Sequence, residues 1–319
     1  MSTYETVRLI NTILTLYYIE ECTQTEIAQR LGLSTAKVNR LLQQARESGY
    51  VNISIRTPFQ NLFDLEALLK DRFHIREAMV IPTVGDSSTS LLNALGTAAA
   101  ELLLENLKDG DVIGIGGGTA VHAVVEAVQP TRAYNVEVVP VLGAVQGQIT
   151  TDVNYLAARL AERLGGKAYQ LHAPAFVETP IQRETLRSMA PVKDILDIAR
   201  RANIALLGIG TVDAESSRFV QFTALSAEEM KRIADTCGGV GEIVAYVYDI
   251  DGRPCANEFT DRVIGLTLSE ILNIPYRICV AGTAGKILPI YGALRGGYVH
   301  ALVTDEAAAK GLLERIERK

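Results

Sequence analysis

The chain has 319 residues, 48 % of them hydrophobic and 21 % charged. That length suggests about two domains, and the composition excludes disorder, collagen and coiled coil as the main state. The longest purely apolar runs are of strand length, such as Ile204 to Leu207, and Glu5 and Arg8 interrupt any apolar opening a signal peptide would need, so neither a membrane span nor a leader is expected. Net charge is −6, which taken alone argues against nucleic acid, but residues 1–56 carry six basic and five acidic side chains while the remainder is strongly acidic. Ser34–Arg46 holds three basic groups and no acid. A local positive helix on an acidic body is the pattern of a DNA-reading head. Cys22, Cys237, Cys255 and Cys279 are scattered, which predicts no disulfide framework and no zinc site, and fits a reducing cytoplasm.

In chain order, Val7 to Ile19 places Leu9, Ile10, Ile13, Leu16 and Tyr17 at helical spacing. Thr23-Gln24-Thr25-Glu26 is a capping box opening a short helix that stops at Gly32. Ser34 caps a third helix to about Ser48, with Val38, Leu41, Leu42 and Ala45 as its buried stripe. The opposite face offers Thr35, Lys37, Asn39, Arg40 and Gln43, donors and acceptors suited to base edges and phosphates. A short helix, a glycine turn and a helix with a polar basic face is the helix-turn-helix arrangement, and Gly49 to Ile55 alternates as a small β wing. Asn61 to Phe73 reads as a connecting helix, with structural linker and dimerising seam both open.

From Ala78 onward short β-rich runs alternate with helical patterns. The strands are read at Ala78–Pro82, Asp111–Ile115, Val136–Leu142, Ala168–Leu171, Ile204–Ile209, Ile243–Tyr248, Arg277–Val280 and Val299–Thr304. The helices between them include Leu91–Leu107, Asn154–Leu164, Ile195–Ala202 and Ile264–Leu272, and Glu306–Ile316 closes the chain. This alternation predicts an α/β domain with a mainly parallel sheet covered on both faces, and ligands outside the carboxyl ends of its strands.

At one such end, Gly116-Gly117-Gly118-Thr119-Ala120 leads into a helix, and its glycines, the Thr119 hydroxyl and the helix N-terminus suit a phosphate group. The dinucleotide fingerprint fails because its closing glycine would fall at Thr119. Val280 to Lys286 resembles a P-loop with the wrong spacing, so nucleotide hydrolysis is not supported; Lys286 reads as a counter-charge to a sugar phosphate or as a surface lysine. Asp249 is placed to take sugar hydroxyls, with Asp251-Gly252 as the turn after it, and Gly208-Ile209-Gly210-Thr211 lets a ligand approach another strand end. His122 is the one histidine near a candidate site and reads as structural, and no hydrolase or zincin motif occurs, so no catalytic and no metal-ligating residues are assigned.

The head from Gln24 to Leu42 resembles the SorC family of bacterial transcriptional regulators. The body is similar to that family over Gly114–Thr119, Leu206–Gly210, Asp249–Gly252, Arg262–Leu266 and Ala281 to Tyr298. The resemblance implies a sugar-binding domain related in fold to glucosamine-6-phosphate deaminases and ribose-5-phosphate isomerases but non-catalytic, assembled as a dimer or tetramer and answering to a phosphorylated sugar. It implies that Gly117, Gly118 and Thr119 meet the phosphate with Lys286 as counter-charge, and that Asp249 and Glu242 take ligand hydroxyls. Ala120 stands where many members have a second Ser or Thr, and Leu142-Gly143-Ala144 replaces a more glycine-rich stretch. The expected organisation is a DNA-binding domain over 1–57, a linker helix over 58–76 and an effector-binding and oligomerisation domain over 77–319. The function expected is cytoplasmic, cofactor-free regulation of a carbohydrate operon through double-stranded operator DNA. A sugar-phosphate isomerase or deaminase fused to a DNA head is the alternative, and an architectural DNA-binding oligomer a third.

Overall fold

A computed structural model describes residues 3–51, 57–83, 88–145, 149–213, 226–256 and 258–317. The chain divides into two compact units, Met1–Gln60 and Asn61–Lys319.

The first unit is helical: α1 (Thr3–Leu14), α2 (Gln24–Leu31) and α3 (Thr35–Glu47), around a core that includes Ile13, Leu16, Ile27, Val38 and Leu42. The helix expected over Val7–Ile19 begins earlier and widens into a π turn at Thr15–Ile19. Thr12 and Thr15 hydroxyls bond the carbonyls of Arg8 and Asn11 at 3.0 Å, a competition with the backbone ladder that bends helices, and Leu16 stays buried through the wider turn. Most of the expected wing, residues 52–55, lies outside the described residues.

The second unit opens with α4 (Gln60–Phe73), whose Leu62 and Leu69 are buried in this unit's core while Phe63 and Leu68 are exposed. There follow β1 (Glu77–Ile81), α5 (Ser88–Asn106), β2 (Val112–Ile115), α6 (Thr119–Ala127), β3 (Glu137–Pro140), α7 (Val153–Leu164) and β4 (Lys167–Ala168). Next come α8 (Pro180–Ser188), α9 (Ala190–Arg200), β5 (Ile204–Gly208), β6 (Gly210–Thr211), α10 (Ala227–Cys237), β7 (Gly239–Ile243) and β8 (Tyr246–Asp249). The last elements are α11 (Leu268–Leu272), β9 (Tyr276–Val280), α12 (Ile287–Arg295), β10 (Ala301–Asp305) and α13 (Glu306–Glu317).

Seven strands form one parallel sheet in the order β1-β10-β9-β5-β2-β3-β4. Alternate residues of the central strands enter different cores, Ile204 and Leu206 joining Val121, Val124 and Leu156, and Ala205 and Leu207 joining Leu196, Ile290 and Leu312. This is why these strands read as unbroken apolar runs: both faces are covered, and each buried leucine or isoleucine contributes about 1.5–3 kcal/mol.

Four expectations are corrected. Ile243–Tyr248 is not one parallel strand but the bend of an antiparallel hairpin, β7 turning at Val244-Ala245 into β8, with β6 as third strand. Both turn residues have positive φ, 45° and 72°, which a β-branched residue resists, so the turn carries none of the Asn-Gly signal such hairpins usually show. Ile264–Leu272 is helical only from Leu268, after the Thr267–Glu270 capping box; Ile264 and Leu266 are buried in extended chain bonded to Gly143 and Val141. The strand expected over Ala168–Leu171 is two residues, Lys167–Ala168. Finally, Cys237 and Cys255 form a disulfide, because the end of α10 and the segment after β8 pack side by side with Cα atoms 5.7 Å apart. Spacing along the chain does not reveal that proximity, and only Cys22 and Cys279 are free thiols.

Candidate functional site

In the helical unit, Thr23 and Glu26 exchange capping bonds, Glu26 Oε2 accepting from the Thr23 N–H at 2.8 Å, and these bonds hold the Glu26 carboxyl below its usual range. Gly32 closes α2 in the left-handed conformation at φ 61°, a position that favours glycine, and Ser34 Oγ accepts the Lys37 N–H at 3.2 Å to open α3. With Val38, Leu41, Leu42 and Ala45 buried, the opposite face of α3 is fixed outward. Thr35, Asn39, Arg40 and Gln43 are exposed there; Gln43 bonds Glu47 at 2.8 Å, and Lys37 sits half-buried at the margin of the face. Exposed donors and acceptors near the start of a capped helix can reach base edges, and a marginal lysine can reach phosphate.

In the large unit the strand order reverses between β2 and β5. The chain leaves β2 through α6 to β3 on one side, and leaves β5 through the small sheet to β9 on the other; sheets of this kind form their ligand crevice at such a reversal, here beyond the carboxyl ends of β2 and β5. The glycine loop lies on one flank. Gly118 has φ 107° and open space where a Cβ would stand, and α6 starts behind it with no side-chain cap. Two of the glycine N–H groups are spoken for within the fold: Gly116 donates to Leu206 O at 3.0 Å and Gly118 to Thr151 O at 3.1 Å. The amides that face outward for an anion are therefore those opening α6 from Thr119, where the helix dipole favours negative charge.

On the other flank stand Gly208 to Thr211. A Cβ on Gly208 would lie 4.0 Å from Val121 Cγ2, so the end of β5 sits against the first turn of α6. Gly210 pairs with Glu242 across β6 and β7, and a Cβ on Gly210 would fall 1.8 Å from Glu242 Oε1. Glu242 Oε2 accepts the Ala245 N–H at 3.1 Å and so anchors the hairpin turn. Burial raises the Glu242 pKa against the opposing pull of that bond and of Lys286. Lys286 Nζ donates to Ile209 O at 2.6 Å, which sets the ammonium beside the same carboxyl. Lys286, Glu242 and Gly208–Gly210 thus converge, next to the helix that Thr119 opens.

Asp249 is placed differently. Its Oδ1 accepts the N–H groups of Asp251 and Arg253 at 2.9 and 2.8 Å, so the carboxylate is the clasp of its own turn. His122 is a half-buried residue of α6 whose N–H bonds Gly118 O. Two groups were not anticipated. Thr151 covers Gly117 and Gly118 from above, and buried Asp305 accepts the Thr283 N–H at 2.7 Å, holding Thr283 at φ 85° where the chain turns toward Lys286. Asp305 ends the strand β10 and was accessible to the same strand-end rule; Thr151 lies on a 3-10 turn that no pattern marks. Among the described residues no cluster of three His, Cys, Asp or Glu side chains is placed to hold a metal ion, and no helix is long and apolar enough to cross a membrane.

Comparison with known proteins agrees with this division. The Sugar-bind family, a sugar-binding domain, matches residues 57–314, and sigma-70 region 4 matches residues 11–48. The chain is 31 % identical to the erythritol catabolism regulatory protein EryD of Brucella abortus, over 93 % of this chain and 94 % of that one. It is 30 % identical to the deoxyribonucleoside regulator of Bacillus subtilis, over 93 % and 95 %. The full-length sorbitol operon regulator SorC of Klebsiella pneumoniae superposes with a TM-score of 0.76 at 30 % identity, covering 96 % of this chain and 98 % of that one.

Proposed function

Because the chain belongs to the SorC-type family of transcriptional regulators, with a DNA-binding helix-turn-helix and a sugar-binding domain, we propose that it controls a carbohydrate catabolic operon by binding a phosphorylated sugar. The observation that carries this reading is the strand-order reversal, where the end of β5 borders the first turn of α6 at Gly208 and Lys286 at Ile209. The phosphate rests on the amides from Thr119 and on the Thr119 hydroxyl, beside Gly117 and Gly118, and Lys286 supplies the counter-charge. Glu242 meets ligand hydroxyls. Asp249 remains a second-rank ligand contact, since its carboxylate already clasps a turn. Thr35, Asn39, Arg40 and Gln43 read base edges of operator DNA, and Lys37 holds a phosphate.

The protein acts in the cytoplasm as a dimer or tetramer, because a single recognition helix reads only one half-site. We read the crevice as a binding site rather than a catalytic one, the reading favoured by the chain's membership of a family of regulators. The effector acts by its unequal affinity for DNA-competent and DNA-incompetent arrangements. A thermal-shift screen of the full chain against phosphorylated and free sugars and polyols tests this. A ligand at 100 times its dissociation constant adds about 2.7 kcal/mol. Stabilisation confined to phosphorylated compounds supports the reading; stabilisation confined to free sugars removes the phosphate assignment and leaves the regulator; turnover of a pentose or hexosamine phosphate overturns the non-catalytic reading.

A further inference from the structure

We propose that Asp305 is the positioning residue for the lysine flank of the crevice. Its carboxylate keeps Thr283 in a backbone conformation that threonine does not hold by itself, and that conformation delivers Lys286 to the end of β5. The proposal rests on the reading of Lys286 as counter-charge to an effector phosphate and adds the group that aims it.

Thr283 has φ 85° and ψ 150°. That region belongs almost wholly to glycine, because a Cβ there crowds the neighbouring backbone. The stretch Gly282-Thr283-Ala284-Gly285 nevertheless puts a β-branched residue at this place. The Thr283 side chain is exposed, so packing does not offset the strain. Hydrogen bonds offset it at both ends of the residue. The Thr283 N–H donates to Asp305 Oδ1 at 2.7 Å, and its carbonyl accepts the Lys286 N–H at 3.0 Å.

Asp305 is itself fixed, since it ends β10 in register with Ile81 of β1 and is 2 % exposed. A Cβ on Gly282 would lie 2.9 Å from Asp305 Oδ1, so the glycine before Thr283 is what lets the carboxylate reach the next amide. Three residues after Thr283, Lys286 Nζ donates to Ile209 O at 2.6 Å. The lysine stem is flexible, so its ammonium stays at that strand end only while the backbone behind it is held. Released from Asp305, Thr283 relaxes to negative φ, the chain changes direction ahead of Lys286, and the ammonium leaves Ile209. Strain of this kind persists where the surroundings over-determine it, and it collects at ligand clamps.

The test is acetylation of the full chain by limiting acetic anhydride, read lysine by lysine by mass spectrometry. It compares the wild type with Asp305→Ala, Asp305→Asn and the double variant Asp305→Ala/Thr283→Gly. Lys310 on α13, the helix that follows Asp305, pairs with Glu306 at 2.7 Å and is the control for local unfolding. We expect Asp305→Ala to raise acetylation of Lys286 about threefold to tenfold, as loss of one hydrogen bond implies, with Lys310 unchanged. Asp305→Asn keeps an oxygen for the Thr283 N–H and should match the wild type. Thr283→Gly removes the strain and should restore most of the protection that Asp305→Ala loses, a rescue that a merely structural aspartate would not show. The proposal is overturned if Asp305→Ala reacts like wild type at Lys286, or if Lys310 rises as much as Lys286. It is equally overturned if Asp305→Asn exposes Lys286 as alanine does, or if Thr283→Gly restores nothing. Failure of the crevice reading looks different: sodium phosphate then gives Lys286 of the wild type no protection, while the pattern among the Asp305 variants stands.

Discussion

In the helical unit every residue proposed to meet DNA lies on one helix, fixed by the Ser34 cap before it and the buried stripe behind it. The crevice is assembled from four separate segments, and its side chains are held by one another: Glu242 fills the space Gly210 leaves, and Lys286 is held by Ile209. The difference teaches where each function is vulnerable. The head depends on a small core, nine buried side chains among the described residues, so one cavity there is a large fraction of its stability. Leu42→Ala should cost about 2–5 kcal/mol. Calorimetry should then show the melting of the head lowered and operator binding lost, with the transition of the large unit in place. A comparable fall in both transitions would show that the two units do not melt separately.

The large unit has its own single point of leverage in the Cys237–Cys255 bridge, which closes a loop of 18 residues containing β7 and β8. A loop of that length stabilises by about 3 kcal/mol when cross-linked. Replacing both cysteines by serine, or reducing the bridge, should lower the urea midpoint of the large unit and leave that of the head unchanged. Thiol titration of the unreduced, unfolded chain should find two thiols, Cys22 and Cys279. Four would mean that the two sulfurs are neighbours without being bonded, as is usual in a reducing compartment.

The same contrast explains what the amino-acid sequence discloses. Thr23, Glu26, Gly32 and Ser34 act within one turn of themselves, so their roles are visible in the pattern. The parallel sheet is visible for a related reason, since burial on both faces leaves apolar runs such as Ile204–Leu207. The hairpin at Val244-Ala245 is hidden because its turn is held from outside, by the Glu242 carboxylate and the surrounding core, rather than by turn-forming residues. Asp249 illustrates the converse: an acid at a strand end has the right type and place for a ligand, yet its own turn takes the carboxylate. Lys286, Glu242 and Gly210 each stand at a strand end or in a glycine-rich run, but their convergence is a property of strand order, which no local spacing encodes.

Crossed substitutions sharpen the separation of the two sites. Arg40→Ala should weaken operator binding by about 1–3 kcal/mol, and Lys37→Ala should lower the salt slope of binding by about one. Neither should alter effector affinity. Lys286→Met should weaken a phosphorylated effector roughly tenfold to a hundredfold through loss of a charged hydrogen bond, and leave operator binding intact when no effector is present. Fluorescence anisotropy on labelled operator, with and without the hit from the sugar screen, reads both. If Arg40→Ala leaves operator affinity untouched, α3 is not the recognition helix; if Lys286→Met leaves effector affinity untouched, the phosphate is not held there.

The smallest expected effect concerns Glu242 and is read from its direction with pH. Burial raises its pKa in the folded chain, and the Ala245 N–H and Lys286 oppose that without reversing it. The folded state therefore binds this proton more tightly than the unfolded state, whose glutamates titrate near about 4.3. The contribution to stability is fully present below that value and is lost as the pH climbs through the folded pKa. Glu242→Gln has no such proton, so the stability of wild type minus that of the variant should fall as the pH rises above about 4.3, measured as urea midpoints from acid to neutral pH. A difference that instead grows with pH would mean that Lys286 dominates and that the pair is a net favourable ion pair. The distinction decides what the crevice offers a sugar: a protonated Glu242 donates one hydrogen bond and accepts another, whereas a carboxylate beside Lys286 can only accept from ligand hydroxyls, and its negative charge opposes the approach of the phosphate that Lys286 attracts.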